Sequence, residues 1–511
     1  MESIELSNKR IAKNTLFLYL RMLVVMVVGL FSSRIILQVL GAADYGLYNV
    51  VGSIVVMFSI INGTLSAGTS RFLTFALGKN ESGEIKKVFS AAFLMHVLIA
   101  VFVFILAETV GLWFLDNKME IPSDRVVAAK WLYQFSIISC MLSMTQVPYS
   151  AMIIANERMN VYAWVGIAEA MWKICYMIIL LKVPFDDTLI AYGALILVWN
   201  CGLQIYYRMY CVRNFSESRL SFVMDKSLYK RMLSFSMWDF IGSFCGVGNS
   251  QGLNLLINMF FGVTVNAARG LAYQVEGVVQ QFVSNFMTAV SPQITKRYAE
   301  GRFVDMMNLV YESSKFGYIL LFLISLPVFL EAPKLLSVWL VEVPDKAVLF
   351  LRLLMIAMLI RSFARPVVVA VHATGKIRFL NIVSGTTSVA LQIPGTYILF
   401  KFGFPAYVMF FVMMLVYIVC NYLELISLKR NVCFSIFQYT VKVYVKCICL
   451  SIPSIFIGSL IVLYMQPSIV RVLLTTLCTS IILLVFVFQF GVNPDVKQKI
   501  ISRVLKKCRN L

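Results

Sequence analysis

Apolar stretches long enough to cross a lipid bilayer recur along the whole chain, and this repetition constrains the fold more than any other feature. A transmembrane helix needs about 20 predominantly apolar residues. The sequence is 60% hydrophobic and 14% charged, with a mean hydropathy of +0.83, whereas soluble domains are about 45 to 50% apolar. The pattern therefore predicts an all-α polytopic membrane protein.

The apolar stretches predict about fourteen transmembrane helices, arranged as two sets of six followed by a pair. The predicted spans are 13–40, 46–77, 88–115, 127–155, 161–181, 188–211, 232–261, 266–297, 310–330, 348–374, 379–401, 404–428, 439–464 and 470–490. No polar block between them is large enough for a soluble domain, so we expect the function to reside in the membrane part and its short loops.

The charge distribution predicts the orientation of the chain and the class of its partners. The formal net charge is +20, but the Lys and Arg residues collect in the loops predicted on one side of the membrane. Cytoplasmic loops carry such an excess, so both termini are expected in the cytoplasm of a multi-pass inner-membrane protein. We therefore expect the basic residues to lie next to membrane lipids, and we expect no nucleic-acid partner.

Two halves of the chain share glycines and prolines at a nearly constant spacing. Pro148 and Ala155 match Pro366 and Ala373 at one spacing, and Gly41 matches Gly262 at a similar one. Six spans are an even number, so two copies would share their orientation and be related by an axis along the membrane normal. The domain prediction that follows is a six-helix lobe at 1–211, a cytoplasmic linker at 212–231, a second six-helix lobe at 232–430, a helix pair at 431–490 and a basic tail at 491–511.

Of the basic residues predicted within the membrane, four are candidates for a functional role, because an arginine near the bilayer centre costs about 2.5 to 3.5 kcal/mol on insertion scales. Arg361 and Arg365 stand four residues apart in the tenth span, on one helix face, with Arg361 about 20 Å deep. Arg34 and Lys173 lie in the first and fifth spans. Such cations face water, a partner or a bound anion, so these four are predicted to bind an anionic substrate.

Polar and acidic residues inside the spans are the candidates for coupling or for lining a cavity. Glu169 precedes Lys173 by four residues, which leaves a simple ion pair and a functional role equally open. The other candidates are Asp239, Asn249, Asn254 and Glu276, in the seventh and eighth spans. We find no nucleophile paired with a base and no acidic metal cluster, so no catalytic site, metal site or cofactor is expected.

Three features carry a family resemblance. They are the segment Ser33-Arg34-Ile-Ile-Leu-Gln-Val-Leu-Gly41-Ala-Ala-Asp44-Tyr-Gly46-Leu-Tyr48, Arg71 at the end of the second span, and the short turn Ala155-Asn-Glu-Arg-Met159. With fourteen spans in two lobes and a terminal pair, the chain resembles the Wzx-type polysaccharide flippases. These belong to the multidrug/oligosaccharidyl-lipid/polysaccharide (MOP) exporter superfamily, which has a MATE-like fold. The resemblance covers essentially the whole chain.

The resemblance implies a carrier of the bacterial inner membrane that translocates an undecaprenyl-diphosphate-linked oligosaccharide by alternating access, for O-antigen, capsule or related polysaccharide synthesis. Arginine side chains are well suited to bind a diphosphate, which agrees with the basic residues predicted within the membrane. The implied partners are the lipid-linked oligosaccharide, a polysaccharide polymerase and the chain-length machinery. Coupling to protons or sodium ions stays open, with Glu169, Asp239 and Glu276 as candidate couplers.

Two other functions remain open on the sequence alone. A multidrug antiporter of the same fold would need acidic residues in the first span, and none stands between Thr15 and Leu40. A membrane glycan polymerase or ligase, which would be an enzyme, would need a large outward loop with catalytic Arg or His. The longest predicted outward loop, at about 116 to 126, is too short for that.

Overall fold

The computed structural model describes residues 2–79, 82–118, 121, 123–221, 225–339 and 343–491. In these residues the regular structure is helical and no strand occurs. The helices are α1 Glu2–Lys79, α2 Ser82–Leu106, α3 Leu112–Lys118, α4 Val126–Ala155, α5 Met159–Lys182, α6 Thr188–Asn214, α7 Lys226–Ala299, α8 Phe303–Leu330, α9 Ala332–Trp339, α10 Ala347–Ser362, α11 Ala364–Thr374, α12 Gly385–Lys401, α13 Val408–Lys429, α14 Ile436–Tyr439, α15 Lys446–Tyr464 and α16 Ile469–Phe486.

The helices confirm the all-α membrane fold. Nine segments of the described chain are long and apolar enough to cross a membrane: Gly83–Gly111, Ser123–Ala155, Met159–Lys182, Thr188–Asn214, Phe303–Leu330, Ala347–Thr374, Val408–Lys429, Ile436–Tyr464 and Ile469–Gly491. The five other predicted spans lie on α1, α7 and α12. In the described residues, four π-helical turns interrupt or extend the helices, at Ala107–Gly111, Leu380–Ser384, Thr440–Val445 and Val487–Gly491.

The helix α7 contains the seventh and eighth predicted spans, which meet at a glycine. Gly262 has φ +76° and ψ −176°, a conformation that side chains with a Cβ rarely adopt, so the helical direction changes there. Asp225 caps the start of α7 by accepting hydrogen bonds from the backbone of Ser227 and Leu228. These bonds lower the pKa of the Asp225 carboxyl, because they favour its ionised form.

The tenth predicted span is broken into two helices at its proline. Pro366 lacks an N–H and cannot bond the carbonyl four residues earlier, and α10 ends at Ser362, with α11 beginning at Ala364. The Phe363 carbonyl accepts a hydrogen bond of 3.3 Å from the Tyr439 hydroxyl. The Phe363 carbonyl, next to the break, is thus bonded within the protein, as lipid surroundings require.

The chain divides into two compact units, each assembled from several segments. The first consists of Met1–Phe244, Thr288–Arg302 and His372–Arg378, and the second of Cys245–Met287, Phe303–Val371 and Phe379–Leu511. Large apolar side chains fill both: Phe89 and Tyr149 are in a core of the first unit, and Phe350 and Phe410 in that of the second. The two predicted lobes, by contrast, are each one continuous stretch of the chain, and their boundaries stay a prediction.

Within the first unit, the segment that carries the family resemblance is tied down by an ion pair. Asp44 is buried and binds the guanidinium of Arg125. Arg125 also binds Asp187 at 3.0 Å, and Asp187 caps α6 by accepting from the backbone. Asp44 therefore has a structural role, joining α1 to the segments that precede α4 and α6.

Candidate functional site

Arg361 lies in the last turn of α10 and binds two residues of α13 within the second unit. Its guanidinium forms an ion pair of 2.8 Å with Glu424 and donates a hydrogen bond of 3.2 Å to the Asn421 side-chain oxygen. The ring of Tyr417 lies 5.7 Å from the guanidinium carbon. The Arg361 side chain is 36% exposed, whereas that of Glu424 is 2% exposed, so Glu424 is the more deeply buried member of the pair.

Glu424 is held through one of its two carboxylate oxygens. Oε1 accepts from Arg361 and, at 3.1 Å, from the hydroxyl of Ser384 in a π-helical turn. Oε2 is buried and has no hydrogen-bond partner among the described residues. Sequence reasoning missed Glu424, although a carboxylate inside an apolar span is itself a signal for a functional or paired group.

Arg365, in the first turn of α11, binds residues of α7 in the same unit. It donates a hydrogen bond of 3.3 Å to the Ser284 hydroxyl. With the Gln280 amide turned so that its oxygen faces the guanidinium, that oxygen accepts from Nε at 3.1 Å and from a terminal nitrogen at 2.5 Å. Glu276, one turn earlier on α7, interacts electrostatically with Arg365.

A third arginine, Arg269 of α7, was not among the predicted cations. It is buried, donates to the Asn254 side-chain oxygen at 3.3 Å and to the Ser250 carbonyl at 3.2 Å, and lies 4.3 Å from the centre of the Tyr273 ring. Glu276 interacts electrostatically with this arginine as well as with Arg365. Hydrogen bonds, a ring and a shared carboxylate therefore compensate part of the burial of Arg269, whereas its Nε has no hydrogen-bond partner among the described residues.

These contacts form one arginine cluster in the second unit, which we define as Arg269, Arg361 and Arg365 with Glu276 and Glu424. The ring of Tyr273 lies against Arg269 and the ring of Tyr417 against Arg361. In this cluster the arginines outnumber the carboxylates. Guanidinium groups bind phosphate through two parallel hydrogen bonds, so the arrangement can hold a phosphate-bearing anion. The described residues contain no group of three His, Cys, Asp or Glu placed to bind a metal ion.

Of the predicted residues, Arg361, Arg365 and Glu276 belong to this cluster and Asn254 binds one of its arginines. Asn249 has different partners. The Asn249 amide donates to the Gln392 side-chain oxygen at 2.7 Å and to the Ser388 hydroxyl at 3.2 Å. Both partners lie on α12. This bond links two helices of the second unit, and it accounts for one of the amides that sequence analysis assigned to a cavity lining.

The remaining predicted residues belong to the first unit. Glu169 is exposed and Lys173 half-buried on α5, and in the described part of the chain no ion pair joins them, so the simple neutralised pair is not formed. Asp239 lies 3.6 Å from the His372 ring nitrogen. Arg34 is on α1, but its side chain lies outside the described residues.

The fold defines a polytopic membrane protein, and the comparisons with known proteins specify the family. The family model for polysaccharide biosynthesis proteins matches residues 11–298, more than half of the chain. The protein therefore belongs to the polysaccharide biosynthesis protein family. No curated protein matches the chain significantly.

Solved structures confirm the MATE-like fold. A MATE protein in complex with MaD3S is similar with a TM-score of 0.71 at 11% identity, covering 85% of this chain and 97% of that one. An outward-facing multidrug resistance MATE transporter of the MOP superfamily gives 0.70 at 12% identity over 82% and 95%. A MOP superfamily transporter from Pyrococcus furiosus, described as having a binding pocket of reverse polarity, gives 0.68 at 12% identity over 82% and 95%. At these identities the likeness establishes the fold alone.

Proposed function

We propose that this protein translocates a lipid-linked oligosaccharide across the bacterial inner membrane by alternating access, with both termini in the cytoplasm. The cargo class is an undecaprenyl-diphosphate-linked repeat unit for surface polysaccharide, which a polymerase and the chain-length machinery would then use. Membership of the polysaccharide biosynthesis protein family supports the pathway, and the MATE-like fold supports a carrier.

The arginine cluster is the observation that carries the proposal. A guanidinium inside apolar helices is costly unless it binds water, a partner or an anion, and the three arginines of the cluster exceed its two carboxylates, which leaves positive charge for an anion to balance. A diphosphate supplies charge and geometry that match arginine forks. The lipid tail needs no polar site, because it can stay in the bilayer while the headgroup moves.

The first test removes the protein from its host. We expect lipid-linked repeat units to accumulate on the cytoplasmic face of the inner membrane and the surface polysaccharide to be lost. Both defects should be restored by a plasmid-borne copy. A deletion strain with normal surface polysaccharide and no accumulated intermediate would contradict the proposed function.

The second test addresses Arg361 and uses Arg352 of the same helix as its control. Arg361→Lys should reduce export strongly, because one ammonium cannot reproduce a bidentate contact. Arg352 donates only to the carbonyls of Phe329 and Leu330 among the described residues, bonds that a lysine can replace in part. Arg352→Lys should therefore keep export near the wild-type level. Equal export by the two variants, at equal membrane abundance, would argue against a cargo contact at Arg361.

The alternative function is a cation-coupled multidrug antiporter. The fold agrees equally well with both functions, while the family match favours the polysaccharide cargo. The discriminating measurement is dye or drug efflux in the deletion strain, which we expect to be unchanged. Coupling to protons or sodium ions is part of the proposal and can be tested by collapsing each gradient separately during export.

A further inference from the structure

Glu424 depends on a single cation for its charge compensation. Its side chain is 2% exposed, Arg361 binds it at 2.8 Å, and its second oxygen has no hydrogen-bond partner among the described residues. The pair is neutral while it is intact. Whatever removes Arg361 from Glu424 leaves a carboxylate buried without a counter-charge.

The groups around Glu424 offer no substitute for Arg361. Ser384 donates to Oε1, and Tyr444, from the π-helical turn before α15, and Cys420, on α13 itself, interact with Glu424 electrostatically. All three are neutral in their protonated forms. Among the described residues, Arg361 is the one that forms an ion pair with Glu424.

An anionic headgroup would compete with Glu424 for Arg361. The arginine side chain is 36% exposed, so a diphosphate can approach it. Two parallel bonds to a phosphate engage the same terminal nitrogens that now bind Glu424 and Asn421. An unpaired ionised carboxylate in the interior is so unfavourable that such groups neutralise instead.

We propose that Glu424 is a coupling carboxylate that takes up one proton when a diphosphate binds Arg361. The carboxylate leaves the guanidinium, the diphosphate takes its place, and a proton from water converts Glu424 to the neutral acid. No bond of the headgroup breaks. This inference rests on the proposed function, since it takes the diphosphate as the ligand of Arg361.

Proton uptake can be measured during binding to the purified full-length protein in detergent, with geranyl diphosphate as the probe. Titration calorimetry at pH 8 in two buffers of different ionisation enthalpy gives the number of protons exchanged, and at this pH the probe is itself ionised. We expect about one proton taken up per bound diphosphate for the wild type and about none for Glu424→Gln. The matched control is Glu312→Gln, which alters a carboxylate paired with Lys315 at 2.7 Å, and its uptake should equal that of the wild type.

The outcomes separate this inference from the proposed function. Wild-type binding without proton uptake overturns the inference and leaves the proposed function standing, and this result needs no variant. A monodisperse Glu424→Gln protein that still takes up a proton also overturns it, as does uptake of sodium in place of a proton. Failure of the wild type to bind the probe contradicts the proposed function, and the inference with it.

Discussion

Arg471 and Glu331 form a buried ion pair that should contribute strongly to the stability of the second unit. Arg471 lies in the first turn of α16, and Glu331 directly follows α8. The guanidinium binds both carboxylate oxygens, at 2.9 and 2.8 Å, and Thr475 donates to one of them at 3.0 Å. The exposed fractions of the two side chains are 6% and 0%.

The loss of stability in each variant depends on which charged side chain stays buried without its partner. Glu331→Leu leaves the buried Arg471 without its carboxylate, and Arg471→Leu leaves Glu331 without its cation. Each should lower the free energy of unfolding by about 3 to 5 kcal/mol. The double replacement Glu331→Leu with Arg471→Leu leaves no buried charge and should cost less than either single change. What remains is the loss of bonds such as that from Arg471 to the Met465 carbonyl, at 2.8 Å, worth about 1 kcal/mol.

The assay is the apparent melting temperature in detergent, followed by tryptophan fluorescence for the wild type, the two single variants and the double variant. We expect the double variant to melt above both single variants. The control is Glu300→Ala, which breaks an exposed pair with Arg302 and should cost at most about 1 kcal/mol. A double variant that loses as much stability as the two single variants combined would show that the two sites are independent and refute the reasoning.

Three further predictions concern the first unit. Gly375→Ala should lower the melting temperature, because φ is +75° and the new Cβ would lie 2.4 Å from an Arg71 nitrogen; unchanged melting would contradict this. Glu157→Gln should also destabilise the protein, by about 1 to 3 kcal/mol, because it removes the ion pair of 2.6 Å with Lys296; normal melting in low salt would argue against the pair. The cap that Asp225 provides should hold at neutral pH and be lost as the pH falls through the lowered pKa of its carboxyl. Faster amide hydrogen exchange in the first turn of α7 at acid pH would detect that loss.

The helices could be predicted from the sequence because each membrane crossing imposes a length and a composition. The repeat also agrees with a detail of the backbone that was not predicted. Glu157 and Gly375 stand at the same spacing as Pro148 and Pro366, and both have a left-handed conformation, with φ +60° and +75°. A non-glycine residue with positive φ is uncommon, so its occurrence at the matching position agrees with two copies of one helix–turn–helix.

The partners of the cations could not be predicted, because they come from helices distant in the sequence. Periodicity places Arg361 on a helix face, but it does not show which helix lies opposite, and Asn421 and Glu424 are on α13. Arg269 follows Gly262 at the predicted boundary of two spans, where hydropathy alone does not distinguish a loop from a buried turn of helix. Its contact with Asn254 crosses the kink of α7 at Gly262, whereas Tyr273 is its neighbour four residues further along the same helix.

The helix break at Pro366 changes what the spacing of Arg361 and Arg365 means. In one straight helix, residues four apart share a face, and one neighbouring helix would bind both. Across the break, Arg361 binds α13 and Arg365 binds α7. Under the proposed function, a diphosphate held by both arginines would therefore replace bonds to two different helices at once. Headgroup binding would then weaken the attachment of the α10–α11 segment to both neighbours, which is the kind of exchange that a carrier needs in order to change conformation when it is loaded.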